Sequence, residues 1–196
     1  MSPADRPGML LVVSGPSGAG KTSIKNALLE RFADAEFSVS ATTRAKTDQE
    51  RDGVDYHFLD RAEFQRRVDA GAFLEHAEYA GNRYGTLRAP VEDALRAGRI
   101  MILDVDVQGA RQIRAAMPEA FGLFVLPPSD QALADRLRAR GRDSETAIVR
   151  RLEIARQELA AAREEGLYDA FLVNRDLEKA IEEAVAIVEK ARTARA

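Results

Sequence analysis

The chain has 196 residues, enough for one sizeable core with inserted lobes but too few for two independent domains of ordinary size. Its 45% hydrophobic and 31% charged residues are ordinary for a soluble protein, and a formal net charge of -3 excludes a general attraction to nucleic acid or an anionic membrane, so phosphate binding must be local. The lack of cysteine excludes disulfides and thiolate metal sites and agrees with a cytoplasmic location.

Residues 1–8 carry two prolines and Asp5, and the apolar run Met9 to Val13 is too short for a signal-peptide core or a membrane span. That run, with no polar alternation, predicts a fully buried parallel strand. It leads through Ser14 into the glycine-rich loop Gly15-Pro16-Ser17-Gly18-Ala19-Gly20-Lys21-Thr22. Ile24, Ala27, Leu28 and Phe32 then fall at helical spacing, so strand, loop and helix follow in the order of a phosphate-binding unit.

Phe37 to Thr42 predicts a second strand, 42–55 an exposed polar loop, and Tyr56 to Leu59 a third strand. Asp60 and Glu63 have capping-box spacing for a helix to Ala70, stopped at Gly71. Phe73 to Tyr79 predicts a strand, and Ala89 to Ala97 a helix with Pro90 in its first turn and Gly98 past its end. Ile100 to Asp104 is a second buried strand, closing on an acid. Helix Gln108 to Met117, strand Phe121 to Leu126, helices Gln131 to Arg140 and Glu145 to Glu164, strand Ala170 to Val173 and helix Leu177 to Arg192 complete the alternation of an α/β fold with a parallel sheet. Leu177, Ile181, Val185 and Val188 form the expected core stripe of the last helix.

Gly-x-x-x-x-Gly-Lys-Thr after a buried strand predicts binding of ATP phosphates. Its glycines let consecutive N–H groups turn inward as a nest, and the helix N-terminus adds positive potential. Lys21 supplies a charge for the β- and γ-phosphates, and Thr22 a hydroxyl for Mg²⁺, which accompanies ATP. Asp104 stands where such folds carry a second acidic motif, with Asp106 two residues beyond; alone, each also reads as an ordinary strand-end acid.

Six further blocks follow in order: Ser38-Val39-Ser40-Ala41-Thr42-Thr43-Arg44, Asp52 to Phe58, Phe73-Leu74-Glu75-His76-Ala77, Gly81 to Thr86, Ile102 to Gly109 and Arg136 to Gly141, before Val173-Asn174. Together with the loop they resemble guanylate kinases of the nucleoside monophosphate kinase group over almost the whole chain. The resemblance implies a P-loop NTPase-type core (8–36, 91–127 and 168–196), an inserted GMP-binding lobe (about 37–90) and a helical lid (about 128–167) in one domain. It implies transfer of the γ-phosphoryl of ATP to GMP, with ATP and GMP as the partners, no nucleic acid or membrane, and a monomer or small homo-oligomer.

Guanine presents an acceptor at O6 and donors at N1 and N2, so selecting it needs a carboxylate and a hydroxyl, which Glu75 and Ser40 supply. By family position Thr86, Asp104 and Asp106 also belong to the GMP site, and Arg44, Tyr56 and Tyr84 hold its phosphate. Arg136 and Asn174 are implied on the ATP side, and Lys21, Arg44, Arg140 and Arg151 as the cations of catalysis. In isolation Tyr56 and Tyr84 read as core aromatics and Glu75 as a solvated strand acid. The sequence departs from the family at Thr47, where a second phosphate-binding arginine is normal; Arg83, Lys46 and Arg51 are the candidates to replace it. A P-loop kinase for another phosphorylated acceptor and a catalytically silent peptide-binding module are the competing readings; Glu75, Ser40 and Tyr84 argue against the first, and the intact Lys21 and Thr22 against the second.

Overall fold

The computed structural model describes residues 7–139, 141, 144–164 and 166–195. The opening apolar run is β1 (Met9–Ser14), buried throughout, and after the loop comes α1 (Lys21–Arg31). Next are β2 (Ala35–Phe37), β3 (Ala41–Thr42), β4 (His57–Phe58), α2 (Arg61–Asp69), β5 (Phe73–Tyr79), β6 (Asn82–Leu87), α3 (Arg88–Arg96) and β7 (Ile100–Asp104). Then follow α4 (Val107–Ala116), β8 (Phe121–Leu126), α5 (Asp130–Ala139), α6 (Glu145–Glu164), β9 (Ala170–Val173) and α7 (Leu177–Thr193).

Five strands form a parallel sheet in the order β2-β7-β1-β8-β9. Both of its faces are covered, which explains the unbroken apolar run of β1. Met9, Leu11 and Val13 pack into a cluster with α1 and α7, while Leu10 and Val12 pack oppositely with α3 and α4. The remaining strands form a smaller sheet, β4-β3-β6-β5, with its own core of Ala41, Phe64 and Phe73. Helices α5 and α6 share a further core of Leu133, Ala134, Leu137, Ile148 and Ala155. Three separately packed parts therefore surround the ends of β1 and β7. Among the described residues, no helix is long and apolar enough to cross a membrane.

The structure corrects three expectations. Phe37 to Thr42 is not one strand: the Ser38 N–H makes a last bond to the Ile102 carbonyl, the chain leaves the parallel sheet, and β3 begins the second one. Residues 82–87, for which the sequence predicts no element, form β6, joined to β5 by a two-residue turn with positive φ at Ala80 and Gly81. In α7 the buried stripe is Ala180, Ala184, Val188 and Ala191, while Leu177 is 42% exposed and Ile181 and Val185 sit at its flank. The small alanines let the helix lie close, turning the larger side chains aside. The Asp60 cap forms as expected, its carboxylate accepting the Glu63 N–H at 2.7 Å; Glu63 itself pairs with Arg66 and Arg67.

Candidate active site

The loop after β1 is bent by Gly15, Gly18 and Gly20, all at positive φ. Two of these positions are closed to side chains by neighbours. A Cβ on Gly15 would lie 2.2 Å from the Val125 carbonyl oxygen, and one on Gly20 2.2 Å from Asn174 Nδ2. Lys21 Nζ folds back to donate to the carbonyls of Gly15 (2.6 Å) and Pro16 (3.4 Å). Thr22, in the first turn of α1, is exposed, as is Ser17.

Asn174, expected as a contact to the ATP nucleoside, is 3% exposed and braces the loop: its Nδ2 donates to the Ala19 carbonyl at 2.8 Å. Arg136 donates to the Asn174 carbonyl (2.8 Å) and, more weakly, to that of Ala19 (3.4 Å). Arg151 reaches Ser17 Oγ at 3.1 Å. Arg140 lies outside the described residues. Helix α5 packs directly over the loop, since a Cβ on Gly18 would meet Leu133 Cδ1 at 2.8 Å.

A cleft of about 400 Å³ lies between the two sheets, lined by Ser40, Tyr56, Glu75, Tyr84, Asp104 and Asp106 among others. Asp104 is the junction. Burial pushes its carboxyl above the ordinary range, and the charges of Lys21 and Lys25 oppose that rise. Asp106 is the N-cap of α4, one oxygen accepting the Gly109 N–H at 2.8 Å.

The far wall is the β5–β6 hairpin. A bulge between Phe73 and Glu75 sends Phe73 into the core of the small sheet and Glu75 to the cleft face, opposite Thr86. Glu75 is 8% exposed and Thr86 1%, and the Thr86 hydroxyl donates to Glu75 Oε1 at 2.7 Å. Thr86 therefore acts on the cleft through Glu75 and does not line it. Glu75 Oε2 remains, 3.3 Å from where a Gly109 Cβ would stand. Burial is the main force raising the Glu75 carboxyl, with Asp106 adding to it and Thr86 opposing.

Arg44, Tyr56 and Tyr84 converge as the sequence predicts. The two tyrosine rings meet edge to face at 6.1 Å, and the Arg44 guanidinium lies over the Tyr56 ring at 5.4 Å. Glu50, a residue the sequence did not single out, holds Arg44 by a fork of 2.5 and 3.0 Å. The Thr47 N–H and hydroxyl also donate to Glu50, at 2.9 and 2.8 Å. These donors, Arg44 first among them, draw the Glu50 carboxyl down to about 2, and the bond to Glu50 in turn raises the Arg44 guanidinium above its ordinary value. An acid six residues after an arginine in a polar loop was the signal available for it.

Arg83 is placed apart from Arg44, Tyr56 and Tyr84. Strand alternation puts it on the outer face of β6, over the Phe64 ring at 4.9 Å and donating to Gln65 at 2.6 Å. Lys46 stays by the loop, donating to the Glu50 carbonyl at 3.1 Å. On the lid, Glu158 of α6 is half-buried and its carboxyl is raised by burial, with Lys21 opposing and Asp106 adding.

Thr22 and Asp104 offer hard oxygen donors at the start of α1 and the end of β7, next to Lys21, a donor set that fits Mg²⁺ shared with phosphates.

A family model described as guanylate kinase matches residues 8–191. Guanylate kinase of Anaeromyxobacter dehalogenans is 52% identical over 187 residues, covering 95% of this chain and 82% of that protein. That of Thermobifida fusca is 48% identical, covering 94% and 92%. The crystal structure of guanylate kinase from Anaplasma phagocytophilum superposes with a TM-score of 0.72 at 33% identity, covering 95% of this chain and 87% of that one. A gluconokinase from Sinorhizobium meliloti, at 19% identity and a TM-score of 0.51, shares the fold alone.

Proposed function

This chain belongs to the guanylate kinase family, and we propose that the cleft between its two sheets is where it transfers the γ-phosphoryl group of ATP to GMP, giving ADP and GDP. One observation carries the assignment of ends: a buried carboxylate, Glu75, faces the same cleft as Asp104, on which the charge of Lys21 acts.

Guanine enters against Glu75, whose carboxylate accepts from N1–H and the exocyclic amine, while Ser40 donates toward O6. Thr86 fixes the carboxylate's rotation through its bond to Oε1. Adenine places an acceptor at N1, leaving the buried carboxylate without its partners, so it is rejected. Arg44, already oriented by Glu50, and the hydroxyls of Tyr56 and Tyr84 take the GMP phosphate. With Thr47 in place of the second arginine, this end works with one guanidinium.

ATP lies with its β- and γ-phosphates in the nest of residues 15–22. Lys21 leaves the Gly15 and Pro16 carbonyls and turns to the phosphate oxygens, while Arg136 and Asn174 hold the Ala19 carbonyl and keep the loop's N–H groups facing in. Thr22 and Asp104 would hold Mg²⁺. Bound there with ATP, that ion would supply positive charge against the charge developing in transfer. The attacking GMP oxygen is already anionic, so no general base is needed; Lys21, Arg44 and Arg151 screen two repelling anions and align them in line. The lobe of residues 37–90 and the lid of residues 128–167, each with a separate small core, close on the cleft and exclude water that would otherwise take the phosphoryl group.

Nucleotide titration tests the division of the cleft. Arg44→Ala is expected to weaken GMP and leave ATP within about twofold, and Lys21→Ala to do the reverse, each removing a charged contact to one phosphate end only. Parallel loss of both nucleotides in either variant would overturn it.

A further inference from the structure

β5 is an edge strand of the small sheet, so the backbone groups on its outer side need partners from elsewhere. At His76, next to Glu75, a single side chain supplies both. Gln112 Oε1 accepts the His76 N–H at 3.1 Å, and Gln112 Nε2 donates to the His76 carbonyl at 3.2 Å. A side-chain amide thus pairs with the strand as a residue of a further strand would, across 36 positions of sequence.

Gln112 belongs to α4, whose N-cap Asp106 lines the cleft and whose Gly109 makes room for Glu75 Oε2. Asp106, Gly109 and Gln112 are spaced by three, so they share one helical face. The adjacent face of the same helix buries Val107, Ala110 and Ile113 in the main core. The small sheet packs around its own aromatic cluster, so the strand bearing Glu75 is tied to the parallel sheet by Leu74, which enters the main core, and by its contact with α4.

We propose that Gln112 is a positioning residue: its paired hydrogen bonds to His76 set the height of Glu75 against α4, and so the distance from guanine to the transferred phosphoryl group. This rests on the reading of Glu75 as the guanine acceptor. Gln112 is not among the side chains lining the cleft. It acts through the strand, where an ångström of misplacement is costly to alignment.

The test is steady-state kinetics of the full chain carrying Gln112→Met, which keeps length and most of the volume but neither hydrogen bond. Thermal unfolding and Glu75→Gln are measured alongside. KM for GMP is expected to rise roughly tenfold, the order expected from losing two hydrogen bonds, with KM for ATP within about twofold and a reduced preference for GMP over AMP. A merely structural role predicts a lower Tm with no change in the ratio of the two KM values. Unchanged KM for GMP in a folded Gln112→Met, or equal rises for both substrates, overturns the proposal. If Gln112→Met does not fold, Gln112→Glu carries the same test, since it keeps the acceptor for the His76 N–H and sets an oxygen against the His76 carbonyl. Should Glu75→Gln leave the GMP preference intact, the reading of Glu75 fails and the inference with it; should Glu75→Gln abolish the preference while Gln112→Met does not, only the positioning role fails.

Discussion

Replacing Glu75 by glutamine separates what this carboxylate does for binding from what it does for the fold. In the free protein it is 8% exposed with one hydrogen bond, from Thr86, and burial raises its carboxyl. A folded-state value above the unfolded one means its contribution is fully present at pH below the unfolded value, near 4.3, and is lost as pH rises through the folded value. At neutral pH the raised carboxyl therefore costs stability. Glutamine keeps an acceptor for Thr86 and carries no charge, so Glu75→Gln is expected to hold or raise Tm at pH 7, with the difference from the parent shrinking on acidification. Binding moves oppositely. Two hydrogen bonds from guanine to a charged acceptor contribute about 1.5–3 kcal/mol each, so their loss totals at least about 3 kcal/mol. That is about a hundredfold weaker GMP binding. Calorimetric titration with GMP and with ATP, paired with thermal unfolding across pH, reads both effects. GMP affinity within about threefold of the parent, or a large loss of Tm at pH 7, would refute the reasoning.

Gly20→Ala forces a Cβ to 2.2 Å from Asn174 Nδ2 at a φ of 101°, and is expected to lose about 1–3 kcal/mol of stability together with ATP binding, measured by urea unfolding and titration. Arg151→Ala removes a lid cation that already touches Ser17; kcat is expected to fall on the order of 10³-fold in a coupled ADP-release assay, with GMP affinity little changed. Thr47→Arg places a second guanidinium at an exposed position of the polar loop between β3 and β4. It is expected to lower KM for GMP by up to roughly fivefold, the range of exposed ion pairs, and an increase would show that the Thr47 bonds to Glu50 matter more.

The parts of the fold that obey one strong local rule were legible from the residues. The largely buried strands Ile100–Asp104 and Phe121–Leu126 and the partly exposed edge strand Ala170–Val173 form where their apolar runs place them, and the phosphate loop sits between β1 and α1. β6 was hidden because Tyr84 and Thr86 on one face alternate with Arg83 and Gly85 on the other, so no apolar pattern marks it. The division of Phe37 to Thr42 depends on which sheet each end joins, a tertiary choice that local propensity does not encode. At the site, the motif residues converge, but the partners that hold them do not announce themselves. Glu50 on Arg44, Gln112 on the strand of Glu75, and the inward turn of Asn174 onto Ala19 are polar contacts whose partners only folding brings together. Arg83 lies over the Phe64 ring and away from Tyr84 because successive residues of a strand point to opposite faces.

The most direct test of guanine selection by the buried carboxylate is kcat/KM for GMP against AMP, CMP and UMP at fixed ATP and magnesium. A preference for GMP over AMP of about 10³-fold or more is expected from a site whose buried acceptor only guanine satisfies. Comparable turnover of AMP, or no ADP release with GMP, would contradict it.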